Sequence, residues 1–519
     1  MIPKAGNFRR HGLTAGELAV RTVLACCLAS LAALPSCQKA VATHDPAVEE
    51  TWEAFYLQNA KIGYGQTSVR TVDRQGRPLI EVKSLNHLEI SRFGQRTEQD
   101  VKMSTLETPD GELLEFATDM ANGPAPVAVS GRVENGKMVL EIKTKGRQEK
   151  ANIPWSSDIG GFRAIEQSLS RKPLAPGEKR SLKMLMPLVN QVAEVEIVAA
   201  DRELTSVLGV EAKLLRVDVV AKLPGNQSLN STLWTDTAGE TVKTRIETLQ
   251  QESFRTTREI ALAPATSDAQ FDLGSDLVVK LPQPLPDPHH KRRVRYRVEL
   301  ASGDPAKIFA SGPTQSVESL DDHTAIVTVR SLRPGETPGG AASGFPASPA
   351  AGKEYLSANS VLQIDDPRVR QTAREAKGDA TDPAQVALAL ERYVHSAIAK
   401  KNFSQAFSTA AEVAESREGD CTEHAVLLAA LARACGIPSR VAIGLVYVES
   451  AGGFGYHMWT EVYLDGTWKP LDAIMGQGGI GAAHLKLTDS SLEGATAYSS
   501  FLPVAQVVGK LKISVVEAE

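Results

Sequence analysis

The stretch EGDCTEHAVLLAALARACGIPSR, Glu418 to Arg440, decides how the rest of the chain is read. Gly419-Asp420 supplies a turn and a helix-capping residue, and Cys421 falls in the first turn that follows. Ala425, Leu428, Leu431, Ala432 and Cys435 recur on one face with Leu427 beside it, and Gly436, Ile437 and Pro438 end the helix at a glycine cap. A cysteine needed for packing belongs in the middle of such a helix. At its mouth the sulfur faces unpaired N–H groups and the positive end of the macrodipole, which favour the thiolate, the nucleophilic form.

The other cysteines sharpen the point. Cys26, Cys27 and Cys37 belong to the N-terminal segment, which leaves Cys421 and Cys435 for the folded part. On one continuous helix these two lie ~21 Å apart at ~1.5 Å per residue. A disulfide tolerates a Cα separation of no more than ~7 Å. Cys421 is therefore expected to be a free thiol, and Cys435 a core residue.

A nucleophilic cysteine needs a base and a group that orients the base. His457 opens the alternating run HMWTEVYLDG, and Asp472 ends the next run in GTWKPLDA. With Asp465-Gly466 as a two-residue hairpin turn, His457 falls opposite Ile474, and Asp472 becomes its diagonal neighbour on the same face. A turn one residue longer would lose that parity. A carboxylate so placed fixes the imidazole tautomer and stabilises the imidazolium.

GDCTEHAVLLAALARACGIPSRVAIGLVY followed by YHMWTEVYLDGTWKPLD resembles the transglutaminase-like superfamily, cysteine enzymes of papain-type fold. The shared pattern is a cysteine opening a helix, GIP-x-R after it, H-x-W-x-E-V-Y in a strand and W-x-x-L-D in the next. The resemblance spans about Glu354 to Leu487 and implies Cys421 as nucleophile, His457 as base and Asp472 as its orienting partner. It implies no metal and no cofactor. Ala473 stands where the family commonly has proline. Cys421, His424 and His457 are an alternative zinc-ligand set, without the fourth ligand or paired-cysteine motif such a site needs. Trp459 and Trp468 read as core, and Glu461 as a residue that bonds locally or faces water. GQGGIG, Gly476 to Gly481, matches a dinucleotide fingerprint in letters but lacks the strand–helix setting, so it reads as a mobile loop near the site.

The rest of the chain fixes the setting. Arg9, Arg10 and Arg21 precede the apolar run TVLACCLASLAAL, Thr22 to Leu34, too short to span a bilayer and suited to an export signal. Its end, LPSC, resembles the bacterial lipobox, which implies acylation of Cys37 and anchoring to an envelope membrane facing the periplasm, outer-membrane sorting being favoured by Gln38. Ordinary cleavage near Ser36 is the alternative. Residues 51–263 carry Val-, Ile- and Leu-rich runs such as KMVLEIKTK and AKLLRVDVVAKL, separated by turns such as TPDGEL and VENGKM. LPQPLPDP, Leu281 to Pro288, is a stiff linker. In HHKRRVRYRVEL, Val294, Tyr296, Val298 and Leu300 alternate with arginines, as in a strand with one solvated face. Asp382-Pro383 opens a helix running through Ile398.

These readings predict an α+β protein: a leader over 1–37, a large antiparallel β-rich region over 45–265, a small β-unit over 281–333, a flexible linker over 334–352 and a papain-like, transglutaminase-like domain over 353–519. The 519 residues, 42% hydrophobic and 23% charged with a net charge of -5, suit a globular chain without a nucleic-acid partner. Two functions fit. One is an exported, lipid-anchored cysteine enzyme that cleaves or transfers amide bonds of peptides or proteins. The other is an envelope scaffold that uses the β-rich region and carries a silent C-terminal domain.

Overall fold

The computed structural model describes residues 48–519 apart from 93, 122–126, 225–226, 248–249, 266–271, 273, 338–343, 402–406 and 495–496. Cys37 and the apolar run before it lie outside these residues. Among the described residues no helix is long and apolar enough to cross a membrane. Strand outweighs helix, 50% against 19%, and the architecture is a large N-terminal antiparallel sheet with a C-terminal α+β domain.

Fifteen strands form the N-terminal sheet in an order that follows the chain outward from Val48–Leu57 at its centre. That strand pairs with Ala60–Arg74 on one side and Gln251–Thr256 on the other. The two edges are Arg147–Pro154 and Ile159–Gly160, consecutive in sequence. Five residue steps span at most ~17 Å, so the edges of this broad sheet are drawn together and the sheet curls on itself. The helix Ala164–Arg171 bridges the curl. Gln167 Nε2 donates to Glu107 Oε2 at 2.7 Å, while Arg180, on a strand far away in the sheet order, donates to the Ser168 carbonyl at 2.6 Å. Curling lets alternate residues of each strand face an enclosed core, as the buried set from Phe55 through Val82, Val101 and Leu140 to Val217 shows.

A four-stranded sheet joins Arg293–Leu300, Gln315–Asp321, Thr324–Arg330 and Leu511–Ala518. In its first strand Val294, Tyr296, Val298 and Leu300 are buried and the arginines face outward, as alternation requires. The strand from the far C-terminus pairs with Arg293–Leu300, a partner that local pattern did not indicate.

The C-terminal domain puts helices on a sheet. The helices are α1 (Pro367–Lys377), α2 (Pro383–Ala397), α3 (Ala410–Ser416) and α4 (Cys421–Ala434), and the strands are β1 (Ser439–Val448), β2 (Gly453–Leu464), β3 (Thr467–Leu471) and β4 (His484–Ser490). Asp366, Asp382, Thr409 and Asp420 cap the four helices with side-chain hydrogen bonds. Every residue of α4 from Cys421 to Arg433 is buried, as befits a helix that is apolar on most sides. In the sheet β1 lies between β2 and β4, and β3 pairs with the far side of β2. The linker contributes as well. Val279–Lys280 pairs with β2 at Phe454 and Gly453, and Leu285 N–H donates to the Tyr447 hydroxyl.

Candidate active site

Asp420 and Glu423 form a reciprocal capping box at the mouth of α4. Asp420 Oδ1 accepts from Thr422 N–H at 2.9 Å, and Glu423 Oε2 accepts from Asp420 N–H at 3.0 Å. Glu423 Oε1 also accepts from Ser408 N–H at 3.0 Å. Burial, then the charge of Asp420, holds the Glu423 carboxyl well above its ordinary range. Gly419 makes this turn feasible: its φ is +148°, and a Cβ there would meet Glu423 Cβ at 2.3 Å. The cap places Cys421 as the first residue of the helix, its backbone N–H without an intrahelical acceptor.

The hairpin β2–β3 turns over Asp465-Gly466, both at positive φ, with Leu464 opposite Thr467. Pairing stops at Thr460–Leu471, one residue short of Asp472. Parity still carries Asp472 to the face of His457, and the link closes: His457 Nε2 lies 2.8 Å from Asp472 Oδ2. The second oxygen, Oδ1, accepts from Ile474 N–H at 2.9 Å. Opposite His457 on β1 stands Gly444, where a Cβ would fall 2.0 Å from the Leu485 carbonyl oxygen on β4. Only glycine at this point of β1 allows β4 to run so close beside it.

The three side chains meet, sealed from solvent: Cys421 and His457 are 0% exposed and Asp472 1%. Burial pushes His457 down, but the charge and hydrogen bond of Asp472, followed by a hydrogen bond and charge from Cys421, hold it well above the ordinary imidazole value. Burial likewise pushes Asp472 up, and His457 and then His484 hold its carboxylate well below the usual range. With Nε2 engaged by Asp472, the contact with the thiol falls to Nδ1. The arrangement favours an imidazolium beside a thiolate.

Among the described residues neither Cys421 nor Cys435 is in a disulfide, and Cys435 is half-buried with its sulfur 3.9 Å from the Ala373 carbonyl. His424 is turned back into its own helix, Nδ1–H donating to the Asp420 carbonyl at 2.6 Å, and burial lowers it to about 4. Among the described residues, the side chains that could hold a metal are instead His457, Asp472 and His484, whose ligand atoms lie within 4.8 Å of one another. Trp459 and Trp468 are buried. Glu461 does not bond locally or face water. It is 2% exposed and sits directly across from Arg440, with Oε2 accepting from Arg440 and from Lys486, each at 2.7 Å. Cross-strand pairing supplies what a single-strand reading leaves out.

Four further residues belong to the site. Glu391, buried on α2, accepts from Asp472 N–H and Gly479 N–H with Oε1, each at 3.2 Å, and burial raises it to about 7. One turn on, His395 Nδ1 donates to the Ala473 carbonyl at 3.0 Å. The glycine-rich loop is thus tied to α2. Lys401 is half-buried; burial lowers its pKa, opposed by the charges of Asp472 and Cys421. His484 is the fourth, lying on Asp472 beside His457. A lone glutamate on a helix face and a histidine at a strand end carry no local signal, and only contact across elements reveals them.

Residues 370–473 match the family model of the transglutaminase-like superfamily. This part of the chain is a transglutaminase-like domain. The match includes Cys421, His457 and Asp472 and stops before His484. No curated protein matches the chain. Among solved structures, a candidate cysteine protease from Cytophaga hutchinsonii is 14% identical with a TM-score of 0.29, covering 44% of this chain and 89% of its own. A candidate protease from Parabacteroides distasonis is 12% identical with a TM-score of 0.18, covering 76% and 64%. A DUF1089 family protein from Pseudomonas aeruginosa is 9% identical with a TM-score of 0.18, covering 40% and 94%. At these scores the neighbours do not bear on the chemistry of the transglutaminase-like domain.

Proposed function

We propose that the chain is an exported, lipid-anchored cysteine enzyme that acts on amide bonds of peptides or proteins. The observation that carries this reading is the convergence of Cys421, His457 and Asp472, with the 2.8 Å contact between imidazole and carboxylate. The Cys421 thiolate attacks the amide carbonyl, forming an S–C bond and a tetrahedral oxyanion. The backbone N–H of Cys421, at the helix mouth, is placed to stabilise that oxyanion. His457, as imidazolium, gives its proton to the leaving amine as the C–N bond breaks, and a thioester remains. Water or a second amine then attacks the thioester while His457 takes the proton back. Asp472 keeps the ring in the tautomer that permits both transfers. The acceptor decides between hydrolysis and acyl transfer. Acylation of Cys37 would hold the enzyme at the periplasmic face of an envelope membrane, where peptides and proteins are the available amides.

Treatment of the full chain with iodoacetamide at about pH 6 tests the chemistry. Selective modification of Cys421 over Cys435 is expected, together with thioester adducts on Cys421 by mass spectrometry after incubation with envelope extract. Equal, sluggish labelling of both thiols would favour the scaffold instead. Incorporation of labelled palmitate, lost in Cys37→Ser, tests the anchor.

A further inference from the structure

Asp472 Oδ2 faces two imidazoles. His457 Nε2 lies at 2.8 Å and His484 Nε2 at 3.2 Å, and all three side chains are no more than 1% exposed. We propose that His484 is a positioning residue that acts through Asp472, donating an N–H to the oxygen that serves His457 and so tempering its hold on the imidazolium. The proposal rests on the reading of Cys421 as nucleophile.

The tautomer follows from geometry. His484 Nδ1 is buried without a hydrogen-bond partner, so a proton there would be stranded. The proton therefore sits on Nε2, facing the carboxylate, and the ring is neutral. Burial, then the nearby His457, also keeps His484 below the ordinary imidazole value despite Asp472. A second cation beside the imidazolium is disfavoured for the same reasons.

The ring is rigidly held. Its edge contacts include the Trp459 indole at 5.2 Å and the His289 ring at 6.1 Å, both T-shaped. Its backbone opens β4 opposite Val446, and the preceding residues are pinned: Tyr447 N–H donates to the Ala483 carbonyl, and the Tyr296 hydroxyl to the Ala482 carbonyl. A histidine fixed from behind in this way fixes the carboxylate in turn. It also sets how strongly the carboxylate retains the proton on His457. Too strong a hold would make His457 a poor acid toward the leaving amine.

The titratable groups around the cluster come from every packed element. Cys421 and His424 face it from α4, Glu391 from α2, Lys401 from the segment after α2, and His289 from the linker side.

The test is the pH profile of Cys421 alkylation by iodoacetamide in the full chain. In His484→Phe the upper inflection, where His457 loses its proton, should move up by about half a pH unit or more, since one neutral hydrogen bond contributes ~0.5–1.5 kcal/mol. His484→Gln, which can keep a donor toward Asp472, should return it toward the wild-type position. A folded His484→Phe protein whose profile superimposes on wild type overturns the proposal while leaving the nucleophile intact. Loss of selective Cys421 labelling in the wild type would instead remove the underlying reading. Should His484→Phe not fold, histidine ¹⁵N NMR of the wild-type chain decides: a neutral Nε2–H tautomer at His484 is expected, and the Nδ1–H tautomer or a bound metal removable by chelation overturns it.

Discussion

The N-terminal sheet and the C-terminal domain differ in how closely they gather buried charges. Many of the sheet's ion pairs sit at the surface, such as Lys222–Glu196, whose side chains are 52% and 55% exposed. Two cavities also lie there, about 400 Å³ lined by Arg74, Glu115, Arg132 and Lys150 among others, and about 570 Å³ beside Tyr56 and Phe254. The C-terminal domain instead buries its charges in contact with one another: Cys421, His457, Asp472 and His484 on one side of the sheet region, and Arg440, Glu461 and Lys486 in another group. These two cavities and the closed site therefore do not coincide. His457, Asp472 and Glu391, with strongly shifted ionisation, belong to the closed site, while these two hollows are lined in part by charges of both signs.

The sharpest way to break this contrast is at the thiol. An unassisted thiol of pKa ~8.5 is ionised to only about 0.3% at pH 6. His457→Ala should therefore slow iodoacetamide labelling of Cys421 about a hundredfold at that pH, as stopped-flow or mass spectrometry would show. A rate unchanged by the substitution would mean that the buried contacts do not activate sulfur. Next comes the buried ionic group. Glu461→Ala leaves Arg440 and Lys486 buried with Asp489 as their remaining carboxylate. The expected loss is ~3–5 kcal/mol in urea unfolding, and a loss under 1 kcal/mol would put this group on a level with the surface pairs.

Glu391 gives a smaller, pH-dependent effect. Its carboxyl is raised to about 7 by burial, above its value in the unfolded chain, so the folded state binds more protons between the two. Stability from this group is present at low pH and is lost as pH rises from about 4.5 toward 7, ~3 kcal/mol as an upper bound. Glu391→Gln, which mimics the protonated form, should flatten that part of the stability–pH curve while keeping an oxygen for Asp472 N–H and Gly479 N–H. A parallel decline in both proteins would assign the slope elsewhere. The smallest effect is expected on the sheet: Lys222→Ala should cost no more than ~1 kcal/mol, shrinking further in salt. A larger cost would give the sheet surface a weight that its exposure does not suggest.

What could be read from the sequence was local. Asp420 as cap, Gly436-Ile437-Pro438 as stop and Asp465-Gly466 as a two-residue turn each depend on a few neighbouring residues. From them follow the placement of Cys421 and the parity that brings Asp472 beneath His457. The alternation of Val294, Tyr296, Val298 and Leu300 was equally plain. Contacts between distant segments left no such trace. Glu461 looks like an ordinary strand glutamate until Arg440 and Lys486 are set beside it. His484 begins an aliphatic run and reveals nothing of Asp472. The curl of the large sheet follows from which strands become its edges, a property of the whole meander rather than of any one segment.

The pairing of Arg293–Leu300 with Leu511–Ala518 carries a consequence for how the protein must be made. Synthesis delivers the earlier strand some two hundred residues before its neighbour, so one flank of the small sheet must wait for Leu511–Ala518 to emerge. Such distant closure is slow, and until it happens Val294, Tyr296 and Val298 are short of cover. Completion of the small sheet is thereby tied to the arrival of the later strand.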